Sequence, residues 1–428
     1  MAEETKPQNP PNVADVNSTG GEISIQMVTI KNSRGQTTTL GRPLIVSLDI
    51  YESLFSPFVV GQIVLMESSD LASLLPLIGE ETIQIQLVDY FSKTYDETFL
   101  IYKMGDRVNV NERSNAYALH FMSYGATLDL NTKLGRSFKG PIDSIAKDII
   151  GSLNFGNTSI GKQLNIEATS NNTMFISNFW RPSRCMQFIC DQAQNINGSP
   201  SYMFFETKSK FNFVSLDSMY GASNFIEFEK SNYFRDVRTQ RKNVDMEYKQ
   251  VLALDHFEPF NYIDRLTSGM YGSKIVYHDI TTGQHVNTSY TPNWENRKNK
   301  LNDYPLWSVG AKTSSNAVLI RDHQHYNNFT GFGSDTSNTK VHQERLALIA
   351  QAQASRCAVT VFGKLEYEVG MKVKLTVPRS GPIDANSDPR NKYVSGYYII
   401  ASLRHKIGIR HQCDMELIKD SYMVDLEK

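Results

Sequence analysis

Histidines stand at two places in the chain where their spacing could serve a metal ion or a proton. Asp322-His323-Gln324-His325 holds an H-x-H pair. On a strand, residues two apart face the same way, so both imidazoles could reach one zinc or nickel ion. Structural zinc takes four ligands, and no third one stands close in sequence, which makes a solvated loop the plainer reading. His405 and His411 flank a turn between two strand-like runs. They could face each other and respond to pH, against an ordinary surface placement. The four cysteines are Cys185, Cys190, Cys357 and Cys413. The C-x4-C spacing of the first pair matches no common metal pattern, so all four read as small buried hydrophobes in a reducing compartment. No metal and no cofactor is expected.

Adjacent carboxylates occur at Glu80-Glu81 and Asp96-Glu97. A glycosidase needs two carboxyl groups held across one bond, whereas neighbours on a strand point to opposite faces. The serines, Ser144 and Ser183 among them, lack a G-x-S-x-G elbow. There is no phosphate-binding G-x-x-x-x-G-K-[ST], and the GFG at 331–333 runs into a polar SDT rather than a helix. Arg235-x-x-Arg238-x-x-Arg241-Lys242 could touch nucleic acid or an acidic partner, but such runs are more often solvated faces. The expectation is a protein that is not an enzyme.

Composition narrows the classes further. The 428 residues carry 44 basic and 45 acidic side chains, a net charge of −1, which lacks the basic excess of a free duplex-DNA binder. So little self-repulsion suits a chain with tight partners. The N-terminus has no apolar signal core and no run reaches a membrane span, so a soluble protein made in a cytoplasm is expected. Tyr (21) and Phe (22) are plentiful, and both favour strands and interfaces.

These residues must be positioned by a β-rich α+β chain. Residues 1–21 are polar and read as a flexible arm. From Glu22 period-two patterns begin: Ile23, Ile25 and Met27 alternate with polar neighbours, as do Ile83, Ile85 and Leu87. Pro57 marks an edge or turn between two β-rich runs. Residues 22–125 therefore predict a first β-barrel. At Gly125 the period switches to helical, with Ile142, Ile145, Ala146, Ile149 and Ile150 on one face, Pro141 at the start and Gly151 as the stop. A second helix follows Pro182, with Met186, Ile189, Cys190 and Ala193 on one face. SYMFFE and FNFVSL then form a hairpin, so 126–223 is a mixed α+β domain. Residues 257–354 read as a loop-rich insertion whose Trp294 and Trp307 are candidate interface aromatics rather than core. It ends in a helix with Leu346, Ile349, Ala350, Ala354 and Cys357 on one face. Residues 224–256 plus 355–420 predict a second barrel, which points to internal duplication, and 421–428 is a tail.

The C-terminal block runs ASRCAVTVFGKLEYEVGMKVKLTVP, a polar loop, then YYIIASLRHKIGIRHQCDMELIKDSY. Gly363-x-Leu365, a turn at Glu368-Val369-Gly370 and two strands joined near Gly408 give its skeleton. In the N-terminal block Gly79-Glu80 precedes a strand. LGRSFKGPIDSIAKDIIG and FWRPSRCMQFICDQAQ lie between. This order of barrel, mixed domain and barrel resembles the central baseplate hub protein of contractile-tailed phages. That architecture is shared with the phage late-control tail protein and the base of the type VI secretion spike. Gly79, Glu80, Gly363, Gly370 and Gly408 are the turn candidates.

The resemblance implies a homotrimeric virion protein, assembled in the host cytoplasm. Two barrels per chain present six quasi-equivalent units, joining a sixfold tail tube to a threefold central spike. Neighbouring wedge or tail-terminus proteins would be further partners, with DNA passing a channel without sequence-specific binding. Ring closure would cover sheet edges. The alternatives are a hub-like base of a secretion or injection machine, and a glycan-binding or glycan-cleaving tail protein using the aromatic loops.

Overall fold

The computed structural model describes residues 20–68, 77–111, 114–153, 162–230, 244–257, 261–278, 285–295, 297–307, 317–322, 336–379 and 389–424. The first part of the chain gives β1 (Ile23–Lys31), β2 (Thr37–Thr39), β3 (Ile45–Ser53), β4 (Val60–Glu67), β5 (Thr82–Asp89), β6 (Thr94–Met104), β7 (Val108–Asn111) and β8 (Ser114–Ser123). Helices and short sheets follow: α1 (Tyr124–Asn131), β9 (Ser137–Pro141), α2 (Ile142–Leu153), β10 (Gln163–Ile166), β11 (Asn172–Ile176), α3 (Pro182–Cys190), β12 (Tyr202–Glu206), β13 (Lys210–Ser215) and α4 (Leu216–Tyr220). Next come β14 (Ile226–Glu229), α5 (Val244–Lys249), β15 (Val251–Phe257), α6 (Tyr262–Thr267), β16 (Ser273–His278), β17 (His285–Tyr290), β18 (Tyr304–Pro305), β19 (Ala317–Asp322) and α7 (Thr336–Gln353). The chain finishes with β20 (Ser355–Phe362), β21 (Lys372–Thr376), β22 (Gly396–Ile407), β23 (His411–Lys419) and β24 (Ser421–Tyr422).

The β-rich α+β class holds, but the two closed barrels do not. The strands of both expected barrels form one open sheet in the order β15-β20-β23-β22-β3-β4-β8-β6-β5-β1-β2, with β14, β21 and β7 attached beside it. The cause lies in β22. Its first half pairs with β21, and its second half, Ser402–Ile407, pairs antiparallel with Ser53–Leu48 of β3. A twelve-residue strand is long enough to serve both halves, so neither half closes on itself. Each half still curls round its own core. Val28, Ile50, Ile63, Ile85, Phe99 and Phe121 fill one; Val359, Val373, Leu375, Tyr398, Met415 and Leu417 fill the other.

Local pattern explains most elements. Strand β5 alternates buried Ile83, Ile85 and Leu87 with half-exposed Thr82, Gln84 and Gln86. Strand β1 carries a bulge between Ile25 and Met27, so its fully buried residues are Val28 and Ile30, not the three predicted. A bulge inserts one residue and exchanges the faces. Helix α2 buries the five predicted positions but runs two residues past Gly151. Pro141 ends β9 and stands just before the helix. The hairpin β12–β13 pairs Tyr202 with Ser215 and packs against α3. Helix α7 buries Ala347, Leu348, Gln351 and Ala352, while Leu346, Ile349 and Ala350 are half-exposed and Cys357 belongs to β20. The last residues of the expected arm are fixed: the Gly20 and Gly21 N–H groups donate to Glu247 and to the Tyr248 hydroxyl, 2.6 and 3.1 Å away. Among the described residues no helix is long and apolar enough to cross a membrane.

Candidate functional site

The sheet turns one face to the core and lays the other open. Side chains alternate across each strand, so every second residue reaches the open face. Across five neighbouring strands several of these residues are polar and linked, beside the exposed apolar Val46, Val60 and Met66. Thr360 on β20 donates to Asp414 on β23 (2.8 Å). Arg404 on β22 lies 3.7 Å from Asp414 and makes two bonds, 3.2 and 3.1 Å, to the Asp49 carboxylate on β3. Gln62 on β4 donates to Asp49 (3.1 Å) and to the Tyr51 hydroxyl. Further along, Gln84 and Gln86 both donate to Asp96. Beside this face a cleft of about 920 Å³ opens between the sheet, α6 and the end of α7. Arg265, Arg356 and Arg404 line it together with Asp264, Asp414 and Glu416. Charges of both signs suit a protein surface better than a phosphate backbone.

Beneath the sheet lie buried ionisable groups. Glu97, the neighbour of exposed Asp96, points inward as strand alternation requires, and Lys162 bridges it (2.6 Å) to Glu206 (2.8 Å). Glu206 also accepts from the Ser123 hydroxyl and the Val59 N–H. Burial pushes Glu97 up to about 7 despite the lysine. Lys162 itself is held above its usual value because two carboxylates outweigh its burial. Glu52 accepts from the Lys208 and Val369 N–H groups, tying β3 to the β12–β13 hairpin and to the turn before Gly370. Burial, with Glu368 adding to it, pushes Glu52 up to about 8. These groups staple regions together.

The turn candidates divide. Gly370 has φ +88° and donates to Ile400. Gly79 has φ +97°, but the side chain that fixes its turn is Glu81, which accepts from Ile78 and Gly79 (2.7 and 2.9 Å), while Glu80 is exposed. Gly408 lies in the β22–β23 turn, where its carbonyl accepts from Arg42. Gly363 packs flat against the His411 ring. Trp294 is buried against Trp307, with Lys300 and Arg297 over its ring, so it is a core residue of the inserted region, not an exposed contact. His323 and His325, and the basic run Arg235, Arg238, Arg241 and Lys242, lie outside the described residues.

No protein-family model and no curated protein sequence matches the chain. Solved structures do. A tail protein from Neisseria meningitidis MC58 superposes with a TM-score of 0.55 at 11% identity, covering 92% of this chain and 96% of that one. The 43 kDa tail protein of prophage MuSo2 from Shewanella oneidensis gives 0.54 at 10% identity, covering 92% and 98%. The chain has the fold of a phage tail protein. At such identity the likeness is one of architecture, carried by the order of elements.

Within this tail-protein fold sits one group that the sequence reading undervalued. His405 and His411 do face each other, ring nitrogens 3.0 Å apart, but they are buried rather than on the surface. Burial holds both far below the usual imidazole value, His411 at about 3, so they are neutral near pH 7 and do not sense it. Cys413 joins them, its sulfur 3.2 Å from His405 Nδ1. The missed signal was His411-x-Cys413, the same one-face spacing noted at His323-x-His325.

Proposed function

We propose that the chain is a non-enzymatic structural subunit of a contractile phage tail, the hub at the centre of the baseplate. One observation carries the reading: the superposition on two tail proteins runs nearly end to end in both chains of each pair. In this proposal 22–125 and 224–256 plus 355–420 are the two tube domains, each a strongly curled half of the sheet. The segments 126–223 and 257–354 decorate their outside. Three chains then supply six curled half-sheets, which fits a sixfold tube above and a threefold spike below.

The open sheet supports this reading physically. Its path ends at β15 and β2, and end strands carry backbone groups that a neighbour can pair. A ring of subunits covers such edges. The linked polar face, with charges of both signs, suits a wall that DNA passes without adhering. Wedge or tail-terminus proteins would meet the decorated outside, and the virion tail is the location this role implies.

Electron microscopy of the purified chain, alone and with the proteins of neighbouring genes, tests the proposal. The expected particles are threefold rings with a central hole and the mass of three 48.5 kDa chains. A chain that stays monomeric with every neighbour, spike included, overturns it.

A further inference from the structure

Strand geometry brings three metal-binding side chains to one point. His411 and Cys413 lie two apart on β23 and so share a face. In the β22–β23 register His405 stands directly opposite Cys413. His405 Nδ1, His411 Nε2 and Cys413 Sγ form a triangle with edges of 3.0, 3.2 and 3.7 Å. A tetrahedral ion with metal–nitrogen bonds of about 2.05 Å and a metal–sulfur bond of about 2.3 Å sets N···N at about 3.3 Å and N···S at about 3.6 Å. Each observed edge is within about 0.4 Å of that face. We propose that His405, His411 and Cys413 form a buried binding site for a thiophilic d10 metal ion, zinc(II) or copper(I).

The surroundings are those of a ligand set. His405 also donates to the Tyr367 carbonyl, which holds its ring in place. Metal-binding histidines are commonly oriented by such a bond. The Lys364 N–H points at the Cys413 sulfur, a contact that stabilises a thiolate. Both come from the turn after Gly363, and Gly363 leaves the room that the His411 ring occupies. As a purely hydrogen-bonded group the triad is poorly satisfied: with the His411 proton on Nε2, that N–H and the thiol compete for one His405 lone pair, and with the proton on Nδ1 it is buried without a partner. An ion uses all three lone pairs at once.

Charge favours a soft ion of low charge. Two neutral imidazoles and one thiolate balance a monovalent cation and leave a divalent one with a single positive charge. The Lys208 ammonium acts on all three ligands and disfavours added positive charge, while Glu52 acts on Cys413 in the opposite sense. The site is sealed, with His411 and Cys413 fully buried, so the ion enters as the chain folds. Bound there, it would clamp the β22–β23 hairpin.

The test expresses the full chain with added zinc, or refolds it under reductant with copper(I), dialyses it and counts metal by mass spectrometry. About one ion per folded chain is expected in one arm, falling below about a tenth in Cys413→Ser and His405→Ala. Zinc in one arm or copper in the other identifies the ion. Should the variants fail to fold, cobalt(II) added to the wild-type chain during refolding decides: a sulfur-to-metal charge-transfer band supports the site. Folded wild-type chain that retains neither metal and shows no such band overturns the proposal. So does metal retained equally by both variants.

Discussion

The backbone of Gly363 lies directly under the imidazole of His411, and a Cβ at 363 would fall inside the ring's van der Waals envelope. The ring cannot swing away, because Cys413 and His405 hold its other side. Gly363→Ala should therefore destabilise the chain by about 1–3 kcal/mol, the usual cost of overpacking. In a His411→Ala background the same substitution should cost far less, since the obstructing ring is gone. Urea unfolding of the four proteins gives the coupling energy. Equal costs in both backgrounds would show that Gly363 is needed for its backbone alone.

Glu52 predicts a pH dependence. Its folded value of about 8 lies above the usual 4.5. Below pH 4.5 folded and unfolded chains both hold the proton, and the stabilisation is complete. As pH rises from 4.5 the unfolded chain alone gives up the proton, and by the time pH passes 8 the stabilisation is lost, on the order of 5 kcal/mol. Wild-type Tm should fall between pH 4.5 and 8, and Glu52→Gln should flatten the slope. Glu97, at about 7, adds to the fall and remains in the variant. Parallel Tm profiles for the two proteins would remove Glu52 as its cause.

How much of this was legible in the sequence depended on range. Strands with a clean period, such as β5 and β23, show both their existence and their buried face. Helix α7 does not, because its buried face is partly polar. Gln343 donates to the Ser273 and Thr288 carbonyls, and Arg345 donates to Pro200, Tyr202 and Asp191. Such residues read as solvated until their distant partners are known. The pairing of β22 with β3 joins segments about 350 residues apart and leaves no local mark, so separate barrels were expected where one sheet exists. The His411-x-Cys413 spacing was visible, but the third member depends on hairpin register. Lys162, just before β10, meets carboxylates from β6 and β12, so the group draws on three distant parts of the chain.

Arg404 and Asp49 join the two halves of the sheet at that β22–β3 seam. The two-bond geometry is strong, and the Asp49 side chain is only 3% exposed. Arg404 is about a third exposed, so water screens part of the gain. Arg404→Ala should cost about 1–2 kcal/mol, less than a fully buried pair, because Gln62 still serves Asp49. A double-mutant cycle with Asp49→Ala should give a coupling of about 1 kcal/mol that survives high salt. Zero coupling would leave the seam to backbone pairing alone.

Gly370 and Gly35 separate strain from crowding. Both have positive φ, +88° and +82°. A Cβ at 35 meets nothing within 4 Å, whereas one at 370 meets Met219 Sδ and Phe205 Cζ at 3.3 Å. Gly35→Ala should cost about 1 kcal/mol, the conformational penalty alone. Gly370→Val adds a branched side chain pressed into Phe205 and should cost about 2–4 kcal/mol or block folding. Gly370→Ala should fall between them. Chemical denaturation of the three variants checks the order. A Gly370→Val protein as stable as Gly35→Ala would mean that the turn can re-form with φ negative, and that its N–H bond to Ile400 is not what holds it.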